Sequence, residues 1–114
     1  MIPPSVHVHA GAAETGGAYV LAELLLPPGA VGPGGHDPEQ RESLEVLCGR
    51  VALTVDGVER LLDAGEIVRL DAGRRRQWRN AGAGLARVLV EYRPARAAEA
   101  LLAALIPTPE ETLL

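Results

Sequence analysis

The sequence lacks several features that would mark a secreted or membrane protein. Its 114 residues include a single cysteine, Cys48, so no disulfide can form within the chain. No apolar run approaches the roughly 18 residues of a membrane span, and the N-terminus has neither the basic start nor the apolar stretch of a secretory signal. We therefore expect a cytoplasmic protein with no membrane partner. We expect Cys48 to be a small buried residue beside a turn, not a nucleophile, since no histidine is close in sequence.

Lysine and an excess of positive charge are also absent. All 11 basic residues are arginines, and the formal net charge is −4. The only basic cluster, Arg74-Arg75-Arg76, is too short to follow a phosphate backbone, so nucleic acid is not an expected partner. The preference for Arg, Ala, Gly, Leu and Val is typical of a GC-rich bacterial coding sequence.

Short apolar segments, punctuated by all 13 glycines and seven of the nine prolines, dominate the first 94 residues. This pattern is typical of many short strands joined by turns. The Asp56-Gly57 pair between two such segments is a strong hairpin signal. The segments predict an all-β sandwich or barrel in one domain of residues 1–114, with the barrel at about 5–94. Its strands are predicted at 5–10, 18–26, 42–47, 50–55, 58–62, 66–70, 77–79 and 86–92.

The pattern changes after Pro94, where the chain becomes rich in alanine and leucine. Residues 95–106 are predicted to form a helix, which Pro107 ends. We expect Leu101, Leu102 and Leu105 of this helix to pack on a partner surface. The helix and the residues after it form a C-terminal helical tail at about 95–114.

Two spaced motifs resemble those of the cupin superfamily, in particular its compact single-domain bacterial members. In the first motif, Glu42 is followed by six residues and then a turn glycine, Gly49. The second motif's positions hold Gly65, Asp71-Ala72-Gly73, Arg76 and Asn80. The resemblance covers residues 27–94, about two thirds of the chain. It implies a double-stranded β-helix, or jelly-roll, barrel with a short C-terminal helix.

The resemblance also implies a metal site, and here this chain departs from the family. Three histidines and a glutamate would hold a divalent metal, at positions 36, 38, 76 and 42. The chain has His36 and Glu42, but Pro38 and Arg76 at the other two positions. Proline has no donor side chain, and a guanidinium stays protonated with no lone pair to offer. We therefore predict an incomplete metal site and favour no cofactor.

A metal site with an unusual ligand set is the alternative. His7 and His9 point to one face of the first strand. If that face looked into the barrel, either histidine would join His36 and Glu42 around Fe, Mn, Ni or Zn. In the interpretation that we favour, Val6 and Val8 face the core and the two histidines lie on an exposed polar face.

Arg76 has two possible roles. Strand alternation predicts that Arg74, Arg76 and Trp78 share one side, which the family's register turns toward the barrel interior. A buried guanidinium needs an anion, and Glu42 is the aligned neighbour. One interpretation, which we favour, is a structural Glu42–Arg76 ion pair at the former metal position. The other is a fixed cation that receives a substrate carboxylate or stabilises an enolate.

Three functions follow as expectations. The first is a metal-independent acid/base enzyme (an isomerase, cyclase or lyase) acting on a small carboxylate or enolisable metabolite through Glu42, His36 and Arg76. The second is a non-catalytic module that binds a small molecule. The third is a metal-dependent dioxygenase or isomerase. We expect the pocket to include Arg74, Trp78 and Leu44, although Trp78 by default fills the core.

The resemblance also implies a homodimer. Small members of the family commonly pair through the outer sheet and exchange the N-terminal strand. Residues 5–10 are suited to adding a strand to a neighbour's sheet edge. The alternative is that this strand folds onto its own barrel.

Overall fold

The computed structural model describes residues 3–34 and 37–105, and within them the chain forms eight strands and two short helices. In chain order these elements are β1 (Ser5–Ala10), α1 (Ala12–Thr15), β2 (Val20–Leu26), β3 (Arg41–Cys48), β4 (Arg50–Val55), β5 (Val58–Asp63), β6 (Ile67–Leu70), β7 (Arg76–Asn80), β8 (Ala86–Arg93) and α2 (Ala98–Ala103). The predicted strands are all present, with bounds that differ by at most two residues.

The strands form two antiparallel sheets that face each other. The larger sheet has the order β1-β2-β8-β3-β6, and the smaller has the order β5-β4-β7. Several neighbours in the sheets are distant in sequence, as in β2 with β8 and β3 with β8. This arrangement confirms the predicted all-β jelly roll.

The core lies between the two sheets because inward-facing positions alternate with outward-facing ones. Along β2, for example, Val20, Ala22, Leu24 and Leu26 are fully buried, while the residues between them are partly exposed. The same alternation on β3, β7 and β8 places their alternate side chains in the core. Most of these core side chains are aliphatic, so the polar ones among them stand out.

Turn chemistry fixes how the strands connect. Asp56 and Gly57 both have positive φ angles, 48° and 86°, as a type I′ hairpin between β4 and β5 requires. At the far end of β7, the buried Asn80 amide donates to Leu26 O at 2.9 Å and to Gly84 O at 2.8 Å. Asn80 thereby joins the end of β2 to the turn before β8.

The C-terminal segment differs from the prediction. The helix α2 begins at Ala98, not at residue 95, because Arg96 has a φ of 43° that a right-handed helix does not allow. Leu102 is buried as expected, but Leu101 is 43% exposed and does not face the core. The predicted end of the helix at residue 106 lies outside the described residues. Neither helix of the described chain is long and apolar enough to cross a membrane.

Two smaller differences occur in the first half of the chain. The helix α1 was not predicted, since its four residues are too few to produce a periodic pattern. Cys48 is exposed, so the expectation of a buried thiol is wrong. The β3–β8 pairing shifts register between Val46 and Cys48, so the alternation that buries Val46 does not bury Cys48.

Candidate functional site

A charged pair connects the two sheets inside the barrel. Glu42 lies on β3 of the larger sheet and Arg76 on β7 of the smaller one, each at an inward-facing position. Arg76 Nε donates to Glu42 Oε1 at 2.6 Å, and the two side chains are 4% and 0% exposed. Arg76 Nη1 also donates to the carbonyl oxygen of Arg74 at 3.2 Å. The ion pair is therefore the arrangement in this structure, as in the first interpretation of Arg76.

Burial governs the protonation of this pair. Removal from water raises the pKa of the Glu42 carboxyl, and the charge of Arg76 and the nearby Tyr92 hydroxyl lower it by less. The net effect is a carboxyl that takes up a proton at higher pH than an exposed glutamate does. Such a group can hold or release a proton closer to neutral pH.

Tyr92 completes the site, and the sequence analysis missed it. In the β3–β8 pairing Tyr92 lies directly opposite Glu42, and both side chains are buried. Burial, followed by the charge of Glu42, raises the pKa of Tyr92 well above its usual value, so its hydroxyl stays protonated. Alternation along 86–92 predicts an inward Tyr92, but only the strand register shows that it faces Glu42.

Three buried polar atoms have no hydrogen-bond partner within the described part of the chain. They are Glu42 Oε2, Tyr92 Oη and Trp78 Nε1. Tyr92 lies near the carboxylate and influences it, but the two groups do not form a hydrogen bond of standard geometry. Since buried polar groups in native proteins are nearly always bonded, each of these atoms needs an explanation.

Two of the three predicted pocket residues lie in the barrel interior. Trp78 follows Arg76 by two residues on β7 and is 1% exposed. Leu44 follows Glu42 by two residues on β3 and is fully buried. Gly32 packs so closely on the Trp78 ring that a Cβ there would be 2.3 Å from Cε2 and Cζ2.

Arg74 does not face the interior, and the expectation that it shares a side with Arg76 is wrong. It lies before the first residue of β7, so strand alternation does not apply to it. Its side chain is 50% exposed and forms an ion pair with Asp56.

His7 and His9 are also outside the barrel, so their proposed part in a metal site is wrong. Val6 and Val8 pair with Leu24 and Ala22, whose side chains are buried, and Val6 packs against the core as expected, but Val8 is 38% exposed. His7 is exposed opposite Glu23, and His9 Nε2 lies 3.8 Å from Glu23 Oε1. His36, the third predicted catalytic residue, lies outside the described residues.

The side chains at this position do not fit a transition metal. Pro38 has no donor atom, and Arg76 directs its guanidinium at Glu42 Oε1, where a metal would bind. A cation would therefore have to displace a buried guanidinium from the carboxylate that it is hydrogen-bonded to. The described residues contain no cluster of three potential ligands elsewhere.

A cleft opens between the free edge of the larger sheet and the hairpin of the smaller one. Its volume is about 390 Å³, within the range of small-molecule sites. Leu53, Val55, Val68 and Leu70 form its apolar part, and its charged residues include Arg60 and the predicted pocket residue Arg74. We call this feature the inter-sheet cleft.

The inter-sheet cleft reaches the neighbours of the charged pair. Val55 is the cross-strand partner of Arg76, and Leu70 is the cross-strand partner of Glu42. The cleft is therefore lined by cross-strand neighbours of the charged pair, while Glu42 and Arg76 themselves lie behind them.

The chain is similar to known proteins over most of its barrel. A family model described as Cupin domain matches residues 22–92, whereas no curated protein matches the chain. TT1209 from Thermus thermophilus is 25% identical, with a TM-score of 0.65, over 69% of this chain and 75% of that one. A predicted oxalate decarboxylase from Thermotoga maritima is 20% identical, with a TM-score of 0.73, over 80% of each chain.

A third solved structure is a domain of a regulator. The Cupin_2 domain of an XRE family transcriptional regulator from Enterobacter cloacae is 20% identical to this chain, with a TM-score of 0.71. The match covers 83% of this chain and 100% of that domain. At this identity the likeness shows a shared fold.

Proposed function

Since the chain belongs to the cupin family, we propose that its barrel binds a small organic molecule beside Glu42 without a resident transition metal. The observation that carries this proposal is the buried carboxylate itself. Its Oε1 is bonded to Arg76, while its Oε2 has no partner in the described chain. A fully buried carboxylate oxygen without a partner is costly, and a bound molecule would satisfy it.

The inter-sheet cleft supports the same proposal. Its apolar walls at Val55 and Leu70 adjoin the charged pair, so a ligand that displaces part of this wall reaches Glu42 with a polar group and fills the cleft with an apolar one. Binding sites of this kind combine a mostly apolar surface with a few polar groups that set orientation.

Metal content of untagged protein tests the metal-free part of the proposal. The protein is incubated with Fe(II), Mn(II), Ni(II) and Zn(II), desalted, and submitted to elemental analysis. We expect metal well below one equivalent, because Arg76 occupies the position opposite Glu42. Near-stoichiometric metal that is lost in a His36→Ala, Glu42→Ala variant would overturn this part of the proposal.

Thermal unfolding in the presence of small metabolites tests the binding part. A ligand that binds only the folded state raises Tm in proportion to ln(1 + [L]/Kd). We expect ligands from a set of small acids, ketones and alcohols to raise Tm for the wild type and less for Glu42→Gln. A set in which no compound raises Tm would count against the site.

Acid/base catalysis is a second candidate function, which the raised pKa of Glu42 and its unbonded Oε2 favour. In this reaction the carboxylate removes a proton from the carbon beside a ligand carbonyl, and the carboxylic acid returns a proton to the enolate. NMR of an enolisable ketone such as cyclohexanone in D₂O would detect the exchange. We expect faster exchange with wild type than with Glu42→Gln, and equal rates would leave only binding.

We also propose that the protein is a homodimer that pairs through the outer face of the larger sheet. Leu21, Leu89 and the 47% exposed Ile67 lie around a shallow groove on that face. Burial of these side chains between two copies would remove apolar surface from water. In analytical ultracentrifugation we expect the 12.0 kDa chain to sediment as a dimer and the Ile67→Arg variant to sediment as a monomer. A monomeric wild type would overturn it.

A further inference from the structure

Most arginines of the chain are paired with a carboxylate, but Arg41 and Arg69 are not. Within the described residues, the three arginines that form no ion pair are Arg41, Arg69 and Arg75. A guanidinium has five N–H donors, so an arginine without an ion pair can offer them to a ligand. The other eight of the 11 arginines each pair with an acidic side chain, and they are Arg50, Arg60, Arg74, Arg76, Arg79, Arg87, Arg93 and Arg96.

Arg41 and Arg69 line the same groove on the outer face of the larger sheet. The groove has a volume of about 340 Å³ and lies where β3 begins and β6 ends. Ser43 is also among its lining residues. The volume is within the range of small-molecule sites. We call this feature the arginine groove.

The strand register brings three donors of the arginine groove together. Ser43 on β3 lies directly opposite Arg69 on β6. Arg41 is the next residue of β3 on the same face, so it is the diagonal neighbour of Arg69, at a distance that long side chains can span. The Ser43 hydroxyl forms no hydrogen bond within the described chain. Two guanidinium groups and a hydroxyl can therefore reach one bound group.

The remaining charges of the groove leave it with an excess of positive charge. Arg93 Nε donates to Glu91 Oε1 at 2.9 Å, so these two charges offset each other. Arg41 and Arg69 then face a single carboxylate, that of Asp71. Arg41 also lies directly opposite Arg93, where like charges repel. A bound anion would relieve this repulsion, in a chain whose formal net charge is −4.

A phosphate group matches these donors better than a carboxylate does. A phosphate monoester has three terminal oxygens and a charge of roughly −1.5 to −2 at pH 7. Guanidinium groups bind phosphate through short, charge-assisted and often bidentate hydrogen bonds. Arg41 and Arg69 can each bond one oxygen, and the Ser43 hydroxyl can donate to the third. A carboxylate has only two oxygens and a single charge.

We propose that the arginine groove binds the phosphate group of a small phosphorylated molecule through Arg41, Arg69 and Ser43. This site is separate from the one proposed at Glu42. Glu42 lies between Arg41 and Ser43 on β3, but its side chain points to the opposite side of the sheet, into the barrel. The groove adjoins the dimer contact proposed above and extends beyond it to Arg41 at the end of the face.

Three probes separate the ligand classes. Inorganic phosphate tests the group alone, phenyl phosphate adds a small organic body, and benzoate replaces the phosphate by a carboxylate. Titrations are run at constant ionic strength, because salt screens exposed charges, and are followed by ¹H–¹⁵N NMR. The backbone amides of Arg41, Ser43 and Arg69 report on the groove, and the indole N–H of Trp78 reports on the barrel interior.

We expect phenyl phosphate to bind about tenfold more tightly than benzoate and at least as tightly as inorganic phosphate. Arg41→Gln and Arg69→Gln should each lower the affinity for phenyl phosphate about tenfold. Asp71→Asn should raise this affinity about threefold, because it removes the carboxylate that repels the anion. Arg75→Gln is the matched control, since it removes one charge at an exposed arginine outside the groove, and it should change the affinity by less than about twofold.

Each of the other outcomes overturns a specific part of the inference. Equal losses in Arg41→Gln and Arg75→Gln would mean that the anion is attracted by the whole chain and not by a site. Benzoate that binds as tightly as phenyl phosphate would exclude selection of phosphate, and tighter binding of inorganic phosphate would exclude the organic ligand.

The location of the shifted resonances distinguishes this inference from the proposed function. A phosphate probe that shifts only the Trp78 resonance binds inside the barrel, which would refute the arginine groove and support the site at Glu42. If neither phosphate probe shifts any resonance, the arginine groove is not a phosphate site, and the site at Glu42 is unaffected.

Discussion

Arg76 Nε and Glu42 Oε1 form a 2.6 Å hydrogen bond across the two sheets, in a region where both side chains are almost fully buried. Such a pair is a weak source of stability, because the cost of removing two charges from water offsets most of their attraction. Aliphatic residues of similar volume would often stabilise the fold at least as much as this ion pair does. The presence of a charged pair in a largely aliphatic interior is therefore better explained by binding than by folding.

Arg76→Met tests the cost of breaking this pair. The variant leaves the Glu42 carboxylate buried without its cation, and we expect the free energy of unfolding at pH 7.5 to fall by about 3–5 kcal/mol. Urea denaturation measures the change. The control is the double variant Glu42→Leu, Arg76→Met, which we expect to be as stable as wild type or more so. A double variant as unstable as Arg76→Met would mean that the pair itself stabilises the fold.

The raised pKa of Glu42 predicts a stability that decreases with increasing pH. Above its ordinary pKa of 4.5, the folded protein holds a proton on Glu42 that the unfolded chain has already released. The stability from this proton is complete below pH 4.5 and is lost as the pH rises through the folded-state pKa. Glu42→Gln should abolish this component in urea titrations between about pH 4 and 8. An unchanged profile would contradict the raised pKa.

Asp37 serves as a control for the Glu42 prediction, because its pKa is shifted in the opposite direction. The backbone N–H of Glu39, followed by the Arg96 guanidinium, lowers the pKa of the Asp37 carboxyl. Its contribution to stability is present above its ordinary pKa of 3.8 and is lost as the pH falls through the lowered value. The Asp37→Asn variant should therefore lose stability relative to wild type at neutral pH, and this loss should shrink in acid.

The sequence predicted the fold more fully than the site. Strand positions follow from local signals, such as the Asp56-Gly57 turn, that act within a few residues. The Glu42–Arg76 pair was anticipated because the family's motifs bring these two positions together. Tyr92 was missed because its place opposite Glu42 depends on the β3–β8 register, which joins segments about fifty residues apart. Arg74 was misplaced because alternation was extended beyond the first residue of β7.

Asn80 is predicted to be a major determinant of stability where the end of β2 meets the turn before β8. Besides its two donated hydrogen bonds, its Oδ1 accepts from Gly82 N at 2.8 Å. Asn80→Asp changes one group and turns two donated bonds into contacts between oxygens, so we expect a loss of about 2–4 kcal/mol in urea denaturation. Gln77→Glu, at an exposed position of the same strand, is the control, with an expected change below about 0.5 kcal/mol. Equal effects at the two positions would refute the role of Asn80.

Gly32 and Trp78 are predicted to be coupled by direct packing. A Cβ at residue 32 would overlap the indole ring, so Gly32→Ala has to displace a buried side chain at a cost of about 1–3 kcal/mol. We expect lower stability in urea and a red-shifted Trp78 emission. Gly84→Ala, where a Cβ meets nothing within 4 Å, should change neither. Trp78→Leu removes the indole ring, so Gly32→Ala should lower stability less in the Trp78→Leu variant than in the wild type. Additive stability losses in this double-mutant cycle would show that residues 32 and 78 are not in contact.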